Sequence, residues 1–141
     1  INTLSWENYV AKVVRQVPPN GVIAVWGLAF KANTDDIRFA PSVKIVKALA
    51  AKGYKISAYD PAAMENVRRE LGNSITFVSS AFEALTGAQA LCILTEWNEF
   101  RQADLMKIKT ALAQPVIIDG RNLYDPKKMS ELGFTYISTG R

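Results

Sequence analysis

Two cations, Lys31 and Arg38, stand in one long polar stretch, residues 27–41, and a third, Arg121, follows Asp119-Gly120. A lysine offers a phosphate a point charge, whereas an arginine offers a planar fork to two oxygens. Phe30, beside Lys31, has the ring needed to cover a base or a sugar face. The plainer alternative is that Lys31 and Arg38 are solvated charges paired with Asp35 and Asp36, and that Arg121 pairs with Asp119. Asp60 precedes Pro61, where it would bind a ribose or cap the next helix; without a glycine-rich loop upstream, the cap is favoured. Glu96 and Trp97 would line a cleft or pack beneath it, and packing is favoured. Cys92, inside Leu91-Cys92-Ile93-Leu94, reads as a small buried hydrophobe rather than a nucleophile, because no histidine is present to lower its pKa.

These residues need a scaffold, and the apolar pattern supplies one. Trp6, Tyr9, Val10, Val13, Val14 and Val17 fall on one face of a helix near residues 5–17, with Ser5 or Thr3 as its cap. Val22–Trp26 is apolar on both faces, as a central strand of a parallel sheet requires. Pro41 suits the first turn of a helix whose buried face is Val43, Val46, Leu49 and Ala50, stopped at Gly53. Further strands are expected at residues 54–59, 75–78, 90–94, 116–118 and 134–137. Further helices are marked by Met64, Val67 and Leu71, by a capping box Ser80-x-x-Glu83, and by Leu105, Ile108 and Leu112. Strictly alternating strands and helices predict a Rossmann-like, doubly wound, mostly parallel six-stranded sheet with helices on both faces, preceded by an N-terminal helix. A five-stranded flavodoxin-like sheet is the rival topology. In such sheets ligands bind outside the carboxyl ends of the strands. The segments to watch are therefore 27–38, Asp60-Pro61, Thr95-Glu96-Trp97 and 119–122. The first of these is long for a βα loop and holds a single glycine, so side chains rather than a glycine cradle must meet any phosphate.

Composition narrows the function. The 141 residues, 49% hydrophobic and 21% charged, suit one folded domain with a sizeable core. One cysteine allows no internal disulfide, which agrees with a cytoplasmic setting. The absence of histidine removes Ser–His and Cys–His nucleophiles and histidine-based metal sites. A net charge of +4 suits an anionic ligand, but the basic residues are too scattered for a nucleic-acid partner. No apolar run is long enough to span a membrane.

The segment Gly27-Leu28-Ala29-Phe30-Lys31-Ala32-Asn33-Thr34-Asp35-Asp36-Ile37-Arg38-Phe39-Ala40-Pro41-Ser42, followed by Tyr59-Asp60-Pro61, resembles the C-terminal domain of the UDP-glucose/GDP-mannose dehydrogenase family. Thr95-Glu96-Trp97 with Phe100, Asp119-Gly120-Arg121-Asn122 and the closing Gly140-Arg141 look most like the branch acting on UDP-glucose. The resemblance covers nearly all of residues 20–141, and it rests on the order and spacing of motifs that are individually weak.

It implies a UDP-sugar-binding Rossmann-like domain at 20–141 and, at 1–19, a helix that ends a central region. The family oxidises the sugar C6 alcohol to a carboxylate with two NAD and a cysteine nucleophile, as in the conversion of UDP-glucose to UDP-glucuronate. By residue, it implies that Phe30, Lys31 and Arg121 contact the substrate and that Arg38 reaches NAD bound mainly by a separate N-terminal domain. Thr34 and the neighbouring aspartates would hold the loop in shape. Neither the family's NAD loop nor its catalytic cysteine and lysine is present, and Cys92 does not match that cysteine's motif. With Ile1 rather than Met at the start, the chain is expected to be part of a larger NAD-dependent oxidoreductase, inactive alone, whose full-length form is a homodimer or higher oligomer. The same domain of a GDP-mannose or UDP-N-acetylhexosamine dehydrogenase, or a non-catalytic binding or assembly module, is the alternative.

Overall fold

The computed structural model describes residues 5–139; Thr3 and Gly140-Arg141 lie outside the described residues. Six strands form the sheet: β1 (Val22–Trp26), β2 (Lys55–Tyr59), β3 (Thr76–Phe77), β4 (Ala90–Ile93), β5 (Val116–Asp119) and β6 (Thr135–Ser138). Between and before them lie α1 (Trp6–Gln16), α2 (Pro41–Ala51), α3 (Met64–Leu71), α4 (Ala81–Leu85), α5 (Asn98–Arg101), α6 (Leu105–Ala111) and α7 (Pro126–Glu131).

The strand order is β3-β2-β1-β4-β5-β6, and every pairing is parallel. This is the six-stranded doubly wound order, which excludes the five-stranded rival and makes the sheet wholly rather than mostly parallel. β1 lies at its centre and feeds two cores. Ile23 and Val25 pack with Tyr9, Val13, Ile45 and Leu49 on one face, while Ala24 and Trp26 pack with Leu85, Phe100 and Ile108 on the other. Its unbroken apolar run thus follows from burial on both sides. Trp26 fits because its indole N–H finds the Ala81 carbonyl at 2.8 Å and its ring stacks on Phe100, centroids 4.9 Å apart.

The N-terminal helix belongs to the same packed body. Ser5 caps α1 by accepting from the Asn8 N–H, Tyr9, Val10 and Val13 are buried, and the Tyr9 hydroxyl donates to the Ile118 carbonyl of β5. Val14, expected on the buried face, is 45% exposed. Ser80 caps α4 as its motif predicts, but Glu83 turns back to the N–H and hydroxyl of Ser79, so the reciprocal half of the capping box shifts by one residue. Three short pieces were not expected from periodicity: α5, α7 and the 3₁₀ turn Gly72–Ser74. They are too short for an apolar repeat to show. α7 nonetheless carried a readable start, Asp125 accepting from Lys127 N–H with Pro126 behind it.

Candidate functional site

Strand order reverses between β1 and β4, so the segments after these two strands flank the crevice of the sheet. Their contact is close. Gly27 ends β1 with φ 102°, and a Cβ there would sit 2.6 Å from Thr95 Cβ, N and Oγ1. Only glycine satisfies both the left-handed backbone and the approach. The Thr95 hydroxyl then donates to the Ala29 carbonyl, and the Ser42 hydroxyl at the start of α2 donates to the Leu28 carbonyl.

Asp60 ties this region together. Its buried carboxylate accepts from Leu28 N–H at 2.7 Å and Ala29 N–H at 3.0 Å through one oxygen, which also receives the Trp97 indole N–H at 3.1 Å. The other oxygen accepts from Ala62 and Ala63 N–H, both at 2.8 Å. The cap expected from Asp60-Pro61 is therefore present, on the turn before α3, but it is half of the residue's role. The other half was not visible in sequence, because Leu28, Ala29 and Trp97 reach Asp60 only once β1, β2 and β4 are ordered side by side.

The arrangement decides what the first loop can bind. In a dinucleotide-binding Rossmann domain the amides after β1 face a pyrophosphate. Here two of them already donate to Asp60, and Gly27 is the loop's only glycine. The residues present do not fit the pyrophosphate of NAD at that position. Among the described residues no group of three His, Cys, Asp or Glu is placed to hold a metal ion.

Beyond Ala29 the chain runs outward as a folded loop. Phe30 N–H donates to the Asp36 carbonyl at 2.7 Å, Thr34 Oγ1 accepts from Asp36 N–H, and Asn66 of α3 donates to the Asp35 carbonyl. Thr34 and Asp36 thus shape the loop, with Asn33 (φ 64°) and Phe39 (φ 58°) at its left-handed positions. Phe39 is 90% exposed. Arg38 meets Asp36 with both ends of its fork, Nε to Oδ1 at 3.0 Å and Nη2 to Oδ2 at 2.9 Å. These hydrogen bonds hold the Asp36 carboxyl down at about 2. The paired alternative is therefore what the loop adopts for Arg38, beside a cleft of about 550 Å³ lined by Thr34, Ile37, Asn66 and Glu70. Phe30 is 44% exposed and Lys31 is exposed, with no hydrogen bond or ion pair to Lys31 among the described residues.

Arg121 follows β5, the next strand beyond β4. Buried Asp119 does not pair with its guanidinium. One carboxylate oxygen accepts from Arg121 backbone N–H, and the other accepts from Leu123 N–H and the Tyr136 hydroxyl. The turn's left-handed residue is Asn122 (φ 58°). The guanidinium turns instead toward β4, where Nη2 lies 2.5 Å from Glu96 Oε1. The contact is an ion pair between two partly exposed side chains. Phe30, Lys31 and Arg38 follow β1 and Arg121 follows β5, so all four stand in segments at the carboxyl-terminal edge of the sheet, from strands two places apart. Cys92 is fully buried in mid-β4, and burial pushes its thiol up to about 12, leaving it inert at neutral pH.

Known proteins match this arrangement. Residues 24–126 match the profile of the UDP-glucose/GDP-mannose dehydrogenase family, UDP binding domain. The chain is 44% identical over 124 residues to UDP-glucose 6-dehydrogenase of Pseudomonas aeruginosa, covering 84% of this chain and 27% of that protein. It is 43% identical over 119 residues to UDP-glucose 6-dehydrogenase TuaD of Bacillus subtilis, covering 84% and 26%. Its fold superposes on a UDP-glucose dehydrogenase from Pyrobaculum islandicum with a TM-score of 0.74 at 28% identity, over 96% of this chain and 29% of that one. The chain thus spans about a quarter of the length of the curated relatives it matches. With the motifs lying on one edge of a six-stranded parallel sheet and the match running through most of the sequence, the chain belongs to the UDP-glucose/GDP-mannose dehydrogenase family, as its UDP binding domain.

Proposed function

We propose that this chain is the C-terminal nucleotide-sugar-binding domain of a UDP-glucose 6-dehydrogenase, which converts UDP-glucose, two NAD and water to UDP-glucuronate and two NADH. The observation that carries the reading is the edge of the sheet itself. An exposed phenylalanine and an exposed lysine follow β1 and an arginine follows β5, so all three stand at the carboxyl-terminal edge of one parallel sheet. Phe30 covers the base or sugar, Lys31 meets phosphate charge, and Arg121 supplies N–H donors. The nicotinamide dinucleotide is held mainly by a separate N-terminal domain. The amides that would cradle it here are engaged by Asp60, which supports that division. Arg38 reaches that cofactor across the domain boundary when it leaves Asp36. Residues 1–19 connect the domain to the central region, and the full-length enzyme works in the cytoplasm as a homodimer or higher oligomer. The resemblance places the NAD loop and the catalytic cysteine outside this chain, so the chain alone is expected to bind without catalysing.

Calorimetric titration of the chain with UDP, UDP-glucose, GDP and NAD tests this. Heat from UDP and UDP-glucose, with less from GDP and little from NAD, is expected. Preference for GDP would redirect the substrate to a guanosine-linked sugar, and preference for NAD would overturn the reading.

A further inference from the structure

Glu96 has no place in the roles above, yet it is the residue nearest the Arg121 guanidinium. The two come from adjacent strands. Ile93 pairs with Asp119, and Gly120 N–H donates to the Ile93 carbonyl at 2.8 Å, which brings the two post-strand segments level. Each segment is separately anchored, Thr95 on Ala29, Trp97 on Asp60 and the Arg121 backbone on Asp119. The backbones on either side are thus fixed while the two charged side chains, each about a third exposed or less, meet at the surface of the crevice. The guanidinium and the carboxylate thus form one ion pair at the crevice.

We infer that Glu96 is a specificity-determining partner of Arg121, converting it from a phosphate-binding cation into a neutral dyad that recognises the uncharged nucleoside portion of the ligand. This rests on the nucleotide-site reading above and adds a division of labour to it. A phosphate oxygen only accepts hydrogen bonds and carries negative charge, so a carboxylate against the arginine repels it. A uracil imide or a ribose diol both donates and accepts, and a guanidinium–carboxylate pair offers both. Arg38 is likewise covered by Asp36, whereas Lys31 feels the Asp36 charge but makes no ion pair or hydrogen bond among the described residues. Lys31 is thereby left to meet the phosphates, and the dyad two strands away meets the nucleoside.

The test is titration of the full 141-residue chain, native and as Glu96→Gln, Glu96→Gln/Arg121→Ala and Lys31→Ala, with uridine, UDP and pyrophosphate. Amide shifts are followed at low and at high salt. The double variant Glu96→Gln/Arg121→Ala, neutral like the native dyad, is expected to weaken uridine and UDP alike relative to the native chain, about tenfold, without changing the salt dependence of UDP binding. Lys31→Ala is expected to weaken UDP and pyrophosphate, spare uridine and flatten the salt dependence. Glu96→Gln, which keeps the shape and removes the charge, is expected to raise the UDP-to-uridine affinity ratio about three- to fivefold and steepen the salt dependence. A purely structural Glu96 would lower both ligands by one factor with the salt dependence unchanged, and that result overturns the assignment. So does selective loss of pyrophosphate binding in the Glu96→Gln/Arg121→Ala double variant relative to the native chain. If the native chain shows no shifts with uridine or UDP, the nucleotide-site reading falls with it; native binding with a uniform Glu96→Gln effect removes the role of Glu96 alone.

Discussion

If the chain acts as proposed, Lys31→Ala and Arg121→Ala in the full-length enzyme are each expected to weaken UDP-glucose binding by about 1.5–3 kcal/mol, the size of one lost charged hydrogen bond. Arg38→Ala is expected to raise the NAD concentration needed for half-maximal rate and to leave UDP-glucose affinity alone. Steady-state kinetics in both substrates separates the two patterns, and unchanged constants in all three variants would remove the site assignment. Asp60 makes a different kind of prediction. Its two oxygens satisfy four backbone amides and one indole. Asp60→Asn keeps the volume but turns an N–H group toward those donors. A loss of at least about 2 kcal/mol in urea unfolding is expected, because buried donors left unmatched cost roughly 1–3 kcal/mol each. Amide exchange at Leu28 and Ala29 should quicken with it. Chemistry at this scale was partly legible in the sequence. The Arg38–Asp36 pair could be written from two residues of separation, whereas Glu96–Arg121 is separated by 25 positions and depends on β4 lying beside β5.

At the scale of elements, the alternation of apolar runs and helical stripes was enough to give a six-stranded parallel sheet, while the strand order that excludes the five-stranded rival came from the structure. Burial on both faces leaves a strong mark on a central strand such as β1, and right-handed crossovers restrict the rest. What escaped were pieces whose form comes from neighbours. α5 has four residues and is placed by Phe100 burying itself against Trp26 and Tyr59, not by any repeat of its own. In the turn after β5 the left-handed residue is Asn122 rather than the neighbouring Gly120, and its side chain tolerates that backbone better than most. The end of β1 gives the sharpest element-level test. Gly27→Ala forces a Cβ to within 2.6 Å of Thr95 backbone and side chain at a φ of 102°. A destabilisation of about 2 kcal/mol or more is expected from strain and overlap together, read as a lowered unfolding midpoint. Relief by a compensating Thr95→Ser is not expected, because the backbone N of Thr95 is one of the contacts.

For the molecule as a whole, stability should fall in alkali earlier than surface charge alone predicts. Cys92 sits at the middle of the sheet, and burial lifts its thiol from 9.0 to about 12, while Tyr9, packed beside it, is raised well above 10.0 for the same reason. A thiol whose pKa is higher folded than unfolded contributes stability that is complete below about 9 and lost as pH rises toward 12. Within that window each such proton steepens the decline by about 1.4 kcal/mol per pH unit. Unfolding free energies measured from pH 7 to 11 should therefore fall less steeply in Cys92→Ala than in the native chain, whatever the offset between them at pH 7. Asp60 has a consequence at this scale as well. A carboxylate carried on the same chain competes for the amides after β1 at an effective concentration far above that of any dissolved anion. Free phosphate, sulfate and dinucleotides meet a position that is already taken. The fold keeps the architecture of a general anion receptor while its own tether silences it, so ligand choice passes to the side chains around the rim, where single substitutions can retune it without disturbing the sheet.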